Sequence, residues 1–348
     1  MLQDYIGKVV QRRDLSAEEA EAAMQSIMSG EATPAQIGGY LIALRMKGET
    51  VDEIAGSARA MRAHAQPVHT RPNGPLLDTA GTGGDGAHTF NISTAAAFVI
   101  AGAGRRVAKH GNRAASSKCG SADVLSAAGV EVNLTPEQVA ACIDRAGIGF
   151  LFAPRFHPAM KHAVGPRREL GQRTIFNVLG PLTNPAGATH QLIGVYDPAL
   201  TETMARVLGM LGGQAAFVVH GQHGLDELTT EGSTRVSYLH DGDVTTFELR
   251  AVDLGLRAAG RSELRGGEPT DNAAMMRDLL SGGDRSPRRD VLLLNAAAAL
   301  ALPEAGEDPV GAIREALEAA EQSLESGAAL EKLEALVELS RTLAAEAA

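Results

Sequence analysis

The chain has 348 residues, 44% of them hydrophobic and only 3% aromatic, with no tryptophan and a formal charge of −10. That length supplies one large domain, or a large and a small one, around an aliphatic, alanine-rich core. The acidic balance argues against non-specific nucleic-acid binding, which needs massed Lys and Arg, and the aromatics are too few for stacking single strands. Cys119 and Cys142 make neither a disulfide framework nor a Cys-x-x-Cys metal spacing. The opening MLQDYIGKVV lacks a signal-peptide pattern, and the longest apolar runs, near 95–103 and 291–302, fall well short of the ~20 residues of a membrane span. The reading is a cytoplasmic protein with no membrane and no nucleic-acid partner.

The first elements are helices. Ser16 with Glu19, Thr33 with Gln36 and Thr50 with Glu53 form three capping boxes, Pro34 suits a first helical position, and Gly30 and Gly48 stand where helices end. Residues 1–70 therefore read as a small all-helical domain. The period then changes. PLLDTAG is a buried strand, ISTAAAFVIAGAG a helix ending at Gly102 or Gly104, RRVAKH a strand, SADVLSAAG a helix, and TPEQVAACIDRAG a helix opened by Thr135 and Pro136. IGFLFAP continues as a strand, followed by one helical stretch from about His157 to Asn177. QLIGVYD, a helix from Pro198 to Leu211, and AAFVVHG keep the alternation. RVSYLHDGDVTTFEL predicts a hairpin turning at Asp241-Gly242. From Asp271 the chain is mostly helical, with amphipathic helices near 309–326 and 328–346. Alternating strands and helices over 71–348 imply a larger α/β domain with a mainly parallel central sheet.

Chemistry gathers at strand exits. In DTAGTGGDG, four glycines within 81–86 let the backbone turn sharply and approach an anion, and Asn91-Ile-Ser93-Thr94 then opens a helix whose N–H groups favour negative charge. Neither the Walker nor the dinucleotide pattern fits, so the phosphates belong to another ligand. A second loop, Lys109-His110-Gly111-Asn112-Arg113 with Ala114, Ala115, Ser116, Ser117 and later Ser121, carries two cations, an amide and three hydroxyls at the edge where α/β sheets bind ligands. Asp226-Glu227 follows the AAFVVHG strand and can hold a hard cation such as Mg²⁺ beside a polyphosphate. Of Arg167 and Arg168, which a helix points in different directions, one can meet a carboxylate. For Arg173 and the other arginines, solvation or domain pairing is the commoner role.

Gly81-Thr82-Gly83-Gly84-Asp85, Asn91-Ile92-Ser93-Thr94, Lys109-His110-Gly111-Asn112-Arg113, Arg173-Thr174-Ile175-Phe176-Asn177 with Gly180-Pro181-Leu182-Thr183-Asn184-Pro185, and Leu225-Asp226-Glu227 closely resemble anthranilate phosphoribosyltransferases, over nearly the whole chain. The resemblance implies a nucleoside-phosphorylase-like fold, with the helices of about 157–180 rejoining the small domain across a hinged cleft, usually in a homodimer. It implies transfer of the phosphoribosyl group of phosphoribosyl pyrophosphate to anthranilate, in tryptophan biosynthesis. Gly81, Gly84, Asp85, Thr89, Asn91, Ser93, Thr94, Lys109 to Ser117 and Ser121 would bind phosphoribosyl pyrophosphate. Gly81, His110, Asn112 and Arg167 would face anthranilate, and Ser93, Asp226 and Glu227 would serve Mg²⁺. The aromatic amine is already neutral at pH 7, so no indispensable general base is expected. Two rivals are weighed: a pyrimidine nucleoside phosphorylase, which the glycine loop and Asn112 suit less well, and a non-catalytic nucleic-acid binder of the same fold, which the acidic charge disfavours.

Overall fold

Local caps decide where the first helices start. In the computed structural model, which describes residues 2–114 and 118–346, α1 (Leu2–Val10), α2 (Ala17–Met28), α3 (Pro34–Lys47) and α4 (Val51–Ala63) come first. The boxes at Ser16, Thr33 and Thr50 close with both reciprocal bonds, as does a fourth, Thr135 with Gln138. Each such cap is worth about 1 kcal/mol.

The alternating part follows as β1 (Leu76–Gly81), α5 (Ile92–Gly102), β2 (Arg106–Gly111), α6 (Ser121–Ala128), α7 (Pro136–Ala146), β3 (Ile148–Phe152), α8 (Ala153–Phe156), α9 (Lys161–Leu170), α10 (Phe176–Leu179), β4 (His190–Gly194), α11 (Leu200–Met210) and β5 (Ala215–Gly221). Then come β6 (Thr234–His240), β7 (Asp243–Leu249), α12 (Pro269–Leu280), α13 (Pro287–Ala301), α14 (Pro309–Glu325) and α15 (Ala328–Glu346). The sheet runs β3-β2-β1-β4-β5-β6-β7. Its first five strands are parallel, and β6 and β7 add antiparallel. The hairpin turns where expected: His240 faces Asp243, and Asp241 and Gly242 have φ of 49° and 86°, the double positive φ of a type I′ turn.

Both sheet faces are covered, as the continuously buried strands require. On one face α5, α6, α7, α12, α13 and α15 bury Phe98, Leu125, Ile143 and the wholly buried Leu292–Ala299 stretch of α13. On the other, α11 and α4 pack with Ile193, Val195 and Val218, and this core runs on without a break into Tyr40, Leu41 and Ile54 of the opening helices. Ala163, Ile175 and Phe176 belong to that second core, and α9 packs on α3 and α2. The helical stretch expected over about 157–177 is present in three pieces. Pro158 opens a separate 3-10 turn, and Gly171, at φ 56°, ends α9 before α10 begins. The strand expected to reach Pro154 stops at Phe152, because Pro154 takes an early helical position in α8. No helix among the described residues is long and apolar enough to cross a membrane.

Candidate active site

From β1 the chain steps outward to β2 and β3, then returns to the other side of β1 for β4 and β5. The carboxyl ends of β1 and β4 therefore flank the point where strand order reverses, the usual ligand crevice of an open α/β sheet. Four strands end there in glycine: Gly81, Gly111, Gly194 and Gly221. All four leave no free room for a Cβ. One on Gly194 or Gly221 would collide with the backbone carbonyl of Asp226 or Glu227, and one on Gly81 would press on the Asp226 carboxylate. The missing side chains let the Asp226-Glu227 turn lie down across the strand ends.

The glycine loop binds that turn directly: the Gly83 N–H donates to Asp226 Oδ2 at 2.7 Å. Gly83 and Gly84 have φ of 68° and 74°, a region closed to most side chains. At the start of α5, Asn91 does not cap its own helix. Its amide instead donates to the Cys119 carbonyl (3.1 Å) and accepts from Asn272 (2.9 Å), pinning two loops together. The Ser93 N–H donates to Glu227 Oε1 at 3.1 Å, so a carboxylate stands at the positive end of α5.

Charge is concentrated here. Lys109 is 3% exposed, donates to the Thr79 carbonyl and lies 3.4 Å from Ser93 Oγ. Burial pulls its pKa down, and Asp78 and Glu227 pull it back up. Burial first, then repulsion among neighbouring carboxylates, pushes Asp226 up to about 7 and Glu227 up to about 8. Asp85 adds to that repulsion. Asp226 and Glu227, with Asp85 beside them, face one buried ammonium, so the acid turn itself is short of positive charge, while Arg113 and Arg167 line the same cleft. The described residues contain no group of three or more His, Cys, Asp or Glu arranged to hold a metal ion by themselves.

The second loop is shaped from beneath. Asp78, buried in β1, accepts from the His110 N–H (3.2 Å) and from the Asn184 amide (2.8 Å), which also donates to the Ala108 carbonyl (2.8 Å). Asp123 accepts from the N–H groups of Ala114 and Gly120, both at 2.9 Å, and pairs with Arg113 at 2.8 Å. Asn112 and Ser121 exchange bonds through the Ser121 hydroxyl. The His110 ring lies 5.1 Å from that of His157, its Nε2 is buried with no partner among the described residues, and burial pushes its pKa down to about 3. Arg167 stands over the Phe176 ring with Cζ 5.0 Å from the centroid, and no described carboxylate pairs with it.

One cavity of about 400 Å³ is lined by Gly81, Gly84, Asn91, Ser93, Thr94, Lys109, His110, Gly111, Asn112, Arg113, Ala114, Ser121, Arg167, Asp226 and Glu227. Asp85 lines an adjoining cavity of about 830 Å³ that shares Gly84 and Arg167 with the first. Thr89 lines neither and pairs by its backbone with Arg265. Ala115, Ser116 and Ser117 lie outside the described residues. Sequence reasoning gave no role to Phe176, Asn177, Gly180 and Pro181, which also line the cleft, nor to the supports Asp78, Asn184 and Asn272. Asn184 carried a signal, since it sits in the Gly-Pro-Leu-Thr-Asn-Pro run. Asp78 and Asn272 carried none.

Comparison with known proteins is direct. Residues 3–65 match the profile of the glycosyl transferase family helical bundle domain, and 73–330 that of the glycosyl transferase family a/b domain. Anthranilate phosphoribosyltransferase from Moorella thermoacetica is 57% identical over 97% of this chain and 98% of its own length. The crystal structure of that enzyme from Thermus thermophilus superposes with a TM-score of 0.90 at 45% identity, over 97% of this chain and 99% of that one. The Saccharomyces cerevisiae enzyme in complex with phosphoribosyl pyrophosphate and Mg gives 0.88 at 30% identity, covering 98% of each chain.

Proposed function

This chain belongs to the anthranilate phosphoribosyltransferase family, and on that premise we propose how its own residues divide the work. The reaction transfers the phosphoribosyl group of phosphoribosyl pyrophosphate to anthranilate, giving N-(5-phosphoribosyl)anthranilate and pyrophosphate in tryptophan biosynthesis. In our assignment the glycine loop, with Gly81, Gly84, Asp85 and Thr89, the α5 start at Asn91, Ser93 and Thr94, the loop from Lys109 to Ser117, and Ser121 hold phosphoribosyl pyrophosphate. Gly81, His110, Asn112 and Arg167 receive anthranilate, the Arg167 guanidinium taking its carboxylate. The observation that carries this is one cleft, at the reversal of strand order, that brings both loops, the acid turn and Arg167 together.

Ser93, Asp226 and Glu227 are assigned to Mg²⁺. The fit rests on the donor set: hard oxygens, two carboxylates too few for a cage, and a shortage of positive charge where a pyrophosphate has to enter. Bound there, the ion would neutralise charge on the leaving pyrophosphate. Lys109 and the loop N–H groups stabilise the same charge as it develops, while the ribose becomes cationic. His110, held neutral, orients the amine without deprotonating it in advance. Loss of anthranilate fluorescence on mixing with phosphoribosyl pyrophosphate is the assay. The rate should fall at least about 100-fold when EDTA removes Mg²⁺, on the order of one lost transition-state charge contact. Undiminished turnover in EDTA refutes the metal assignment.

In domain terms we assign 1–70, joined by about 157–180, to the helical domain and 71–348 to the α/β domain. The profile matches support that division, as does the packing of α9 on α3. We further propose a cytoplasmic homodimer joined through the opening helices, where Val10 and Met46 stand 65% and 72% exposed. Light scattering should read twice the chain mass of 36.2 kDa, and a stable monomer contradicts it.

A further inference from the structure

Arg173, between α9 and α10, has no part in the assignments above, yet it touches the glycine loop. Its guanidinium lies over the Tyr196 ring with Cζ 4.1 Å from the centroid, and it donates to the Gly84 carbonyl. No carboxylate pairs with it among the described residues. Tyr196, just past β4, is tied to the same loop from its other side: its N–H donates to Thr82 Oγ1 at 3.1 Å. The loop is thus held at three consecutive residues. Thr82 bonds the end of β4, its N–H donating to the Gly194 carbonyl at 2.9 Å. Gly83 bonds the acid turn, and Gly84 bonds Arg173.

The third tie is the one with consequence. Gly83, Gly84 and Gly86 all have positive φ, so the loop has little intrinsic preference for one shape. In a trans peptide the C=O and the following N–H point to opposite sides. Drawing the Gly84 carbonyl toward Arg173 therefore turns the Asp85 N–H the other way, and successive N–H groups so arranged make an anion-binding concavity. Tyr196 supplies the rigidity, because a stacked, planar guanidinium is already oriented before it donates. The short segment carrying Arg173 also presents Arg167 and Asn177 to the cleft, so the acceptor side and the phosphate side share one support.

We propose that Arg173 is a positioning residue: seated on Tyr196, it holds the Gly84 carbonyl and so fixes the glycine loop in the form that receives the pyrophosphorylated sugar. This rests on assigning that loop to phosphoribosyl pyrophosphate. Arg173 is exposed, so its variants should fold.

The test compares wild type, Arg173→Ala, Arg173→Lys, Tyr196→Leu, the Ala/Leu double variant and Ser93→Ala by steady-state kinetics, calorimetric binding of Mg²⁺–phosphoribosyl pyrophosphate, and thermal melting. Arg173→Ala should raise KM for phosphoribosyl pyrophosphate about tenfold, with kcat within about threefold, the size expected for one charge-assisted hydrogen bond at an exposed site. Its melting temperature should stay within about 2 °C of wild type. Arg173→Lys keeps a donor but loses the planar stack and should fall between. Tyr196→Leu should mimic Arg173→Ala, and the double variant should be no worse than either. Ser93→Ala, at the start of α5 facing the same cleft, probes the assignment of that cleft to phosphoribosyl pyrophosphate separately. Weakened binding in Ser93→Ala with unchanged binding in Arg173→Ala overturns the latch alone. Unchanged binding in both overturns the assignment beneath it as well. A tenfold rise in both substrates' KM together with a melting drop above about 5 °C makes Arg173 a mere structural prop, and also overturns the proposal.

Discussion

His110 and His157 illustrate how burial, more than residue type, sets chemistry. Both are buried, each leaves Nε2 without a partner among the described residues, and burial pushes their pKa values to about 3 and about 4. Neither is an imidazolium at neutral pH, so neither delivers a proton as one. The aromatic amine of anthranilate needs no strong base, and in the proposed assignment His110 serves it only as a hydrogen-bonding group. The depressed values carry a stability consequence with a definite sign. A histidine with a folded pKa below its unfolded 6.5 takes up its proton on unfolding, so its contribution is intact above pH 6.5 and is lost as pH falls toward 4. Replacing His157 by Asn removes one such proton. The slope of unfolding free energy against pH between 6.5 and 4 should become shallower by about 1.4 kcal/mol per pH unit. Urea titrations at stepped pH measure it, and an unaltered slope shows that His157 is not held neutral by the fold.

At the level of elements, what could be read locally was read correctly, and what depends on distant contact was not. Capping boxes at Ser16, Thr33 and Thr50 are four-residue patterns whose partners lie within one turn, so they can be seen in sequence. The Asp241-Gly242 turn is equally local. The helical stretch expected over about 157–177 is present, and its internal breaks are local too, at Pro158, which opens a 3-10 turn, and at Gly171, which ends α9. The acid turn shows the opposite limit. Asp226-Glu227 is legible as a pair, but its placement depends on Asn295, 67 residues beyond Leu228. Asn295 on α13 accepts from the Leu228 N–H and donates to its carbonyl, both at 3.0 Å, and donates again to the Val291 carbonyl at 2.9 Å. It serves Leu228 as a neighbouring strand would. Leaving one of those buried groups unpaired costs about 1–3 kcal/mol, and nothing in the residues around Asn295 announces the duty. Asp78 and Asn184, 106 residues apart, stand in the same relation.

For the molecule as a whole, two loops after successive strands were enough to point to the edge where the cleft opens, whereas the strand order that makes that edge a crevice exists only in three dimensions. The same holds for charge. A chain of net −10 is a poor host for pyrophosphate on average, and Asp226 and Glu227, with Asp85 beside them, crowd the cleft that Lys109, Arg113 and Arg167 also line. The proposed divalent cation and the convergent N–H donors at the reversal of the sheet would offset that charge. A crystal grown with phosphoribosyl pyrophosphate and Mn²⁺, read by anomalous scattering, tests it most directly. The account predicts pyrophosphate between the 81–85 and 109–114 loops, with manganese beside Asp226 and Glu227. A sugar pyrophosphate bound elsewhere, or manganese remote from both carboxylates, contradicts it.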